Sequence, residues 1–223
     1  MSTAISVLDT ALIRPHLAVI RSAGSKPSER RRSIITVTHH LLQVALQDIP
    51  LLKCPLTSGT GDRGECEVFP FGELAFVFVL RAAMPMALAA WDLVPEAPMG
   101  ALGIKRIELK DEIVAELLYT NLPPVRPRIC VVLDGMVATA CTTIAAIDAV
   151  KKWGGDTMRT IFVGLVGARQ GVDALSMAHP DVPIFLAAID PELDDRGYVR
   201  NPGVGDLGDM TFGTLKPKTI ELN

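Results

Sequence analysis

Charged side chains follow several apolar runs in this sequence, at the points where the runs end. Arg81 follows "FVFVL", Arg106 follows "LGIK", Asp134 follows "CVVL" and Asp190 follows "FLAAI". The carboxyl ends of parallel strands meet at one edge of an open sheet, where such sheets bind ligands. Arginine binds phosphate through a planar fork of donors, and a carboxylate accepts hydrogen bonds from sugar hydroxyls. The set favours a phosphorylated sugar, although each arginine alone would also suit a surface position and Asp134 a helix cap.

The stretch that begins at Asp134 has the layout of a phosphate-binding loop. A strand, an acid and a run of small residues lead into a helix, and the run ends with Thr139, Ala140, Cys141 and Thr142. The N–H groups in the first turn of a helix lack intrahelical partners and attract anions. We therefore expect the backbone of residues 139–142 to hold a monophosphate.

Alternating strands and helices would position these groups. The segments "LAFVFVL", "MGALGI", "RICVVLD", "TIFVGLVGA" and "PIFLAAID" have the apolar character of strands buried on both faces. The segments "MPMALAAWDL", "TIAAIDAVKKWGG" and "GVDALSMAH" are typical of the intervening helices. This alternation predicts an α/β fold with a Rossmann-like parallel sheet flanked by helices.

The first 72 residues have a different pattern. Residues 1–27 suggest an N-terminal arm, residues 28–47 a helix capped by Ser28, and residues 48–72, rich in Pro and Gly, a hairpin or flap. Arg30, Arg31 and Arg32 fall in the first turn of that helix, where we expect a solvated face, with an effector site or subunit contact as the alternative. We predict a single domain over residues 1–223, with the α/β core and a tail in residues 73–223.

The overall composition limits the class of protein. The 223 residues are 49% hydrophobic and carry a net charge of −3, which argues against general binding of nucleic acid or anionic membranes. No apolar run reaches about 18 residues and the N-terminus lacks a signal-peptide pattern, so we expect no membrane segment. The four cysteines form no CxxC pair, and we expect reduced thiols in a cytoplasmic protein. Cys54 and Cys66 could in principle pair.

Several segments resemble, in order, the motifs of the uracil phosphoribosyltransferases, within the type I phosphoribosyltransferase superfamily. "LRAAMPM" resembles LRAGLGM, "LYTNLP" resembles YYxKLP, and "LDGMVATACT" resembles DPMLATGGS. The most specific match is "GVGDLGDMTFGT", which is similar to GLGDAGDRxFGT over a long and unusual motif. The resemblance covers most of the chain.

This resemblance implies a reaction and a set of site residues. Ribose 5-phosphate would pass from phosphoribosyl pyrophosphate (PRPP) to uracil, giving UMP and diphosphate, with Mg²⁺ bound through the donor rather than by direct protein ligands. Asp206 and Arg106 would be catalytic, and Arg81, Arg106 and Asp206 would bind the donor. The donor-binding loop would comprise Asp134, Gly135, Met136, Val137, Ala138, Thr139, Ala140, Cys141 and Thr142. The base-binding residues would be Val199, Gly205, Asp206 and Leu207.

The resemblance also implies a homo-oligomer, a dimer or tetramer, with small-molecule substrates and no nucleic-acid or membrane partner. A flap from residues 48–72 or 107–118 would close over the site. Ala140 and Cys141 stand where the family has paired glycines, and they would be tolerated if both backbones have negative φ. The segment after Tyr198 carries one extra residue before its Pro-Gly pair. These differences keep two alternatives open, a phosphoribosyltransferase for another base or aromatic acceptor and a non-catalytic nucleotide-binding relative.

Overall fold

Strands and helices alternate along the chain in the computed structural model, which describes residues 4–108, 113–126, 128–156 and 159–214. The strands are β1 (Ile5–Val7), β2 (Leu52–Thr57), β3 (Arg63–Val68), β4 (Leu74–Leu80), β5 (Met99–Glu108), β6 (Ile113–Asn121), β7 (Ile129–Val137), β8 (Thr160–Ala168), β9 (Ile184–Asp190), β10 (Glu192–Leu193) and β11 (Val199–Arg200). The helices are α1 (Ile13–Arg21), α2 (Pro27–Ala45), α3 (Met84–Leu93), α4 (Cys141–Lys152), α5 (Arg169–Ala178) and α6 (Leu207–Phe212). Within these ranges, no helix combines the length and apolar character needed to cross a membrane.

The central sheet has the strand order β1-β9-β8-β7-β4-β5-β6 among the described residues. Neighbouring strands are parallel except β5 and β6, which form an antiparallel pair at one edge. The predicted α/β fold is confirmed, and β1 and β6 are the two strands of the central sheet that the apolar runs did not predict. β1 has three residues, and residues 116–121 of β6 are exposed, so neither strand required a continuous apolar sequence.

Helices cover both faces of this sheet. α1, α2 and α3 pack on one face against residues such as Phe76 and Leu133, while α4 and α5 pack on the other against Val77 and Val132. Consecutive strand residues point to opposite faces, so β4 and β7 need apolar side chains at every position. This explains why both strands were recognisable from sequence. It also leaves the carboxyl ends of the parallel strands as the open edge of the sheet.

The start of α2 differs from the sequence prediction of a cap at Ser28. The helix begins at Pro27, with Lys26 as N-cap, and the Lys26 N–H donates to the Glu29 carboxylate at 2.9 Å. Proline is favourable at the first helical position because its φ is already helical and no intrahelical N–H bond is lost there. Ser28 therefore lies inside the first turn.

Arg30 is buried, so the expectation of a solvated face is wrong for this arginine. Its side chain is 2% exposed, and its guanidinium donates to the carbonyls of Ile20 at 3.1 Å, Ser22 at 2.5 Å and Met210 at 2.8 Å. Ser22 is the C-cap of α1 and Met210 lies in α6. Burial lowers the pKa of Arg30 from its ordinary value. Carbonyls near helix C-termini attract cations, so Arg30 joins the ends of two helices.

The segment predicted as a hairpin or flap contains an antiparallel hairpin of β2 and β3. Cys54 and Cys66 face each other across this hairpin, and the Cys66 thiol donates to the Cys54 carbonyl at 3.6 Å. All four cysteines are free thiols. The hairpin does not line the cavity described below.

Candidate active site

A cavity of about 640 Å³ opens at the carboxyl edge of β4, β5 and β7. It collects side chains from separated parts of the chain. The predicted site residues that line it are Arg81, Arg106, Asp134, Met136, Ala138, Thr139, Ala140, Cys141, Thr142, Asp206 and Leu207. Gly135 and Val137 are buried within β7, while Val199 is buried and Gly205 is exposed outside the cavity lining.

The small loop before α4 contains one residue in a left-handed conformation. Ala140 is the N-cap of α4, with φ of 67°, and Cys141 is the first helical residue. The condition of negative φ is therefore met at Cys141 and fails at Ala140. An alanine in this region carries a steric cost of about 1–2 kcal/mol that glycine avoids. The helix start is preserved, so the N–H groups of its first turn are directed toward the cavity end of α4.

Side chains of this loop bond to one another. The Thr139 hydroxyl donates to the Cys141 sulfur at 3.2 Å, and the Cys141 sulfur lies 3.8 Å from the Thr142 hydroxyl. The three polar groups thus sit in one row at the start of α4, partly buried and lining the cavity. A bound phosphate would find hydroxyl and N–H donors in the same small volume.

Asp134 is the buried carboxylate of the cavity. Asp134 is 6% exposed, and the Thr143 hydroxyl donates to its Oδ2 at 3.1 Å. Burial raises the pKa of Asp134 to about 7, against the opposing effects of Thr143 and the backbone N–H groups of Gly135 and Met136. A carboxyl group with this pKa exists in both protonation states near neutral pH. It can accept a hydrogen bond from a sugar hydroxyl or donate one to it.

Gly135 is the point of closest contact between β7 and two other parts of the site. A Cβ at this position would lie 2.7 Å from Leu207 Cδ2 and 3.1 Å from Ala82 Cβ. Leu207 belongs to α6 and Ala82 to the loop after β4. The absence of a side chain at Gly135 therefore lets the loop that carries Arg81 and the helix that follows Asp206 pack together.

Arg81 lies in the loop after β4, and the Leu80–Arg81 peptide bond is cis. The Arg81 guanidinium donates to Asp209 Oδ1 at 2.7 Å and to the Thr214 hydroxyl at 3.2 Å. Its side chain is 54% exposed, so donors of the guanidinium also face the solvent of the cavity.

Arg106 lies on β5 and is oriented by the tail of the chain. Its guanidinium carbon is 4.5 Å from the centre of the Tyr198 ring, and its Nη1 donates to the Gly197 carbonyl at 3.3 Å. A cation over an aromatic face is held by the quadrupole of the ring. Lys105, the preceding residue, also lines the cavity. The predicted pair of arginines is thus accompanied by a third cation.

The tail brings Asp206 to the cavity at the start of α6. Asp206 is the exposed N-cap of that helix, and its Oδ1 accepts a hydrogen bond from the Asp209 N–H at 2.9 Å. After β11 the chain turns toward Gly203 through Asn201, which has φ of 60°, and Pro202, and both of these residues are exposed. The Asn201 side chain donates to Glu192, and the turn does not line the cavity.

Asp190 has a structural role rather than a place in the cavity lining. Both Nη atoms of Arg21 donate to its carboxylate, at 2.6 and 2.9 Å, and the Gly203 N–H donates to it at 3.0 Å. The residue is 4% exposed. It therefore fixes the tail against α1 and β9. The strand-end pattern correctly placed Asp190 at the end of β9. There, however, its carboxylate anchors the tail and does not line the cavity.

Sequence reasoning missed several residues at this site, among them Lys105, Tyr198 and Asp209. Lys105 and Tyr198 line the cavity, and Asp209 binds Arg81. Lys105 stands next to Arg106, so the adjacent pair of cations was a pattern that could have found it. Tyr198 and Asp209 are placed by the fold of the tail, and their spacing from Arg106 and Arg81 along the chain gave no indication of contact.

The chain resembles proteins of one family along almost its whole length. A family model described as uracil phosphoribosyltransferase matches residues 7–214. A uracil phosphoribosyltransferase of Roseiflexus castenholzii is 36% identical over 204 residues, which cover 91% of this chain and 95% of that protein. One from Roseiflexus sp. (strain RS-1) is 38% identical over 208 residues. The solved structure of the AQ2163 protein from Aquifex aeolicus matches with a TM-score of 0.87 at 29% identity, covering 93% of this chain and 97% of that chain.

Proposed function

This chain belongs to the uracil phosphoribosyltransferase family, and we propose that it transfers ribose 5-phosphate from PRPP to N1 of uracil. The bond between C1 of the ribose and the diphosphate oxygen breaks, and a bond from C1 to N1 forms. The products are UMP, diphosphate and the proton released from N1. The observation that carries the proposal is the single cavity that collects Arg81, Arg106, Asp134 and the 138–142 loop.

The leaving diphosphate would be held by the cations of the cavity. Arg81 directly follows β4, Lys105 and Arg106 lie on β5, and all three line the cavity. Cleavage of the C1–O bond moves negative charge onto the diphosphate while the ribose gains oxocarbenium character. Fixed cations at the position where negative charge develops stabilise that transition state more than the ground state.

The ribose 5-phosphate would lie over the end of β7 and the start of α4. The 5-phosphate would accept hydrogen bonds from the backbone of residues 138–142 and from the hydroxyls of Thr139 and Thr142. Asp134 would bond the ribose hydroxyls, and its buried carboxyl is supported by Thr143. Holding both ends of the ribose fixes C1 relative to the base, which turns a bimolecular encounter into an oriented reaction.

The base would bind beside α6. Leu207 lines the cavity as an apolar wall, and Asp206 provides a carboxylate next to it. Backbone groups of Val199 and Gly205 would bond the polar edge of the base. In this arrangement Asp206 and Arg106 are the catalytic residues, with Asp206 between base and donor and Arg106 on the leaving group.

Mg²⁺ would be bound through the donor. The carboxylates that line the cavity are Asp134 and Asp206, and the described residues contain no cluster of three or more His, Cys, Asp or Glu side chains suited to a metal. This lining fits an Mg²⁺ ion that keeps several of its waters and binds through the phosphates of PRPP, as Mg²⁺ commonly does with phosphorylated substrates. When bound, Mg²⁺ supplies charge neutralisation to the diphosphate.

We also propose a cytoplasmic enzyme that works as a homo-oligomer. PRPP carries several negative charges and does not cross membranes unaided, so the enzyme must share a compartment with the pathway that makes its donor. A dimer or tetramer is expected from the family. The β2–β3 hairpin or the β5–β6 hairpin, part of which lies outside the described residues, would close over the donor and exclude water.

An assay of diphosphate release tests this proposal. The purified protein is given PRPP, Mg²⁺ and, in separate reactions, uracil and a panel of other purine, pyrimidine and aromatic acceptors, with the nucleotide products identified by mass. UMP should form with a kcat/KM for uracil at least about tenfold above that for any other acceptor. Faster turnover of another base, or no heat of PRPP binding in calorimetry, would contradict the proposal.

A further inference from the structure

Asp209 lies in α6, and its N–H, its carbonyl and its Oδ1 all take part in hydrogen bonds. Its N–H donates to Asp206 Oδ1 at 2.9 Å, and its carbonyl accepts from the N–H groups of Gly213 at 2.8 Å and Thr214 at 3.0 Å. Its backbone thus closes both ends of this six-residue helix. The backbone of Asp209 is therefore held in place by hydrogen bonds at both ends of α6, and this restricts where its carboxylate can lie.

The carboxylate of Asp209 forms a small network with the cavity arginine. Asp209 Oδ1 accepts from Arg81 Nη2 at 2.7 Å and from the Thr214 hydroxyl at 2.6 Å, and Arg81 Nη1 donates to that same hydroxyl at 3.2 Å. Arg81 and Asp209 are 128 residues apart along the chain. Two points of attachment restrict both the position and the rotation of the guanidinium.

α6 is itself anchored to α2. The buried Arg30 donates to the Met210 carbonyl at 2.8 Å, and Arg31 donates to the Thr211 carbonyl at 2.8 Å. Leu207 and Met210 bury the inner face of the helix. The carboxylate that holds Arg81 is therefore attached to a rigid part of the protein, whereas Arg81 itself extends from a loop.

We propose that Asp209 is a positioning residue that holds Arg81 ready for the diphosphate of the donor, an inference that rests on the proposed function. A guanidinium has five N–H donors, and the contacts with Asp209 and Thr214 use two of them. The others stay available on an exposed side chain that lines the cavity. Ordering Arg81 before the donor arrives removes the entropy cost that a free arginine would incur on binding.

The test is a double-mutant cycle with Asp209→Asn and Arg81→Ala, read as the Kd for PRPP with Mg²⁺ and as KM and kcat for both substrates. Asp209→Asn should weaken donor binding by about 2- to 13-fold, the cost of ordering one long side chain. The KM for uracil and kcat should change by less than about twofold. In the Arg81→Ala background the same substitution should have no effect on donor affinity, because Asp209 acts through Arg81.

Asp181→Asn is the matched control, since it removes the same charge from an exposed carboxylate outside the cavity lining. Thr214→Val and Thr214→Ser provide a second route if Asp209→Asn does not fold. The valine variant should weaken donor binding and the serine variant, which keeps the hydroxyl, should restore it.

Three results would overturn the inference while the unmodified enzyme still forms UMP. Donor binding that is unchanged in Asp209→Asn would mean that Arg81 needs no support. Tighter binding would mean that the carboxylate competes with the diphosphate for Arg81. An equal loss in the Arg81→Ala background would mean that Asp209 acts by another route. A failure of the unmodified protein to bind PRPP would instead refute the proposed function.

Discussion

Replacing Gly135 by alanine tests whether the contact between β7, the Arg81 loop and α6 sets the geometry of the site. The added Cβ would lie 2.7 Å from Leu207 Cδ2 and 3.1 Å from Ala82 Cβ. Ordinary van der Waals contacts of a Cβ begin at 3.4 Å. Subtracting 2.7 from 3.4 shows that Leu207 or the strand must move by about 0.7 Å. Leu207 is 1% exposed, so the new methyl group would strike a buried side chain.

This displacement sets the expected magnitude. Adding a methyl group to a packed core costs about 1–3 kcal/mol. For a chain of this size, each kcal/mol lowers Tm by roughly 2–4 °C, so we expect a decrease of about 2–12 °C. Because the strain falls between the end of β7 and Leu207, donor and base should both bind more weakly. A shift of this size at the reacting groups is large enough to lower kcat/KM by about tenfold or more.

Thermal unfolding and steady-state kinetics with PRPP and uracil would measure both effects. Gly24→Ala in the loop between α1 and α2 is the matched control, because a Cβ at Gly24 would meet only Ser22 Oγ, at an ordinary contact distance of 3.8 Å. That variant should keep the Tm within about 2 °C and leave kcat/KM unchanged. Calorimetry with UMP would separate a loss of binding from a loss of rate.

The contact also predicts a coupling between two positions. Leu207→Val shortens the side chain that the new methyl would strike, so it should cost less in the Gly135→Ala background than alone. If Gly135→Ala keeps full stability and activity, the close packing around Gly135 is not required. If the two substitutions are simply additive, the strain does not pass through Leu207.

Other predictions concern charge, orientation and burial. Asp134 has a pKa of about 7 in the folded protein against 3.8 for the free group. Between these two values the folded protein keeps a proton on Asp134 that the unfolded chain has released. The contribution of Asp134 to the free energy of unfolding is therefore largest below pH 4 and is lost as the pH rises through 7. The free energy of unfolding of Asp134→Asn, measured with urea, should therefore rise by about 2–3 kcal/mol relative to that of the unmodified protein when the pH is raised from 5 to 8. A difference that stays constant over this range would refute the raised pKa of Asp134. Tyr198→Ala should raise the KM for PRPP by about 2- to 30-fold through loss of the contact with Arg106, whereas Tyr198→Phe, which keeps the ring, should not; equal effects would point to the hydroxyl. Arg30→Met should lower the free energy of unfolding by at least about 2 kcal/mol, because it leaves buried carbonyls such as that of Met210 without their donor; an unchanged urea midpoint would contradict this.

The sequence predicted the core strands well for a specific reason. A strand buried on both faces must be apolar at every position, so β4, β7, β8 and β9 were visible as continuous runs. The strand-end rule then located Arg81, Arg106 and Asp134 at one edge, and the structure brings all three to the cavity. The long motif in the tail indicated the family, and the family model confirms it over residues 7–214.

The edge strands and the burial of Arg30 were harder to predict from the sequence. β1 and β6 pair at the borders of the sheet, where short length or exposure to solvent removes the apolar pattern. Arg30 is of a residue type usually found at the surface, and its burial depends on two helix ends, one of which is 180 residues away along the chain. No local pattern records such a meeting.

By itself, the sequence determined which residues could bind a phosphorylated sugar and which strands would carry them, because side-chain chemistry and apolar periodicity are local properties. Only the tertiary structure decided that Ala140 adopts a positive φ, that Asn201 and Pro202 lie in an exposed turn, and that Asp209 reaches Arg81. A backbone torsion in a loop and a contact across 128 residues are fixed by the packing of elements against one another. That packing depends on the whole chain at once, so no stretch of sequence specifies it alone.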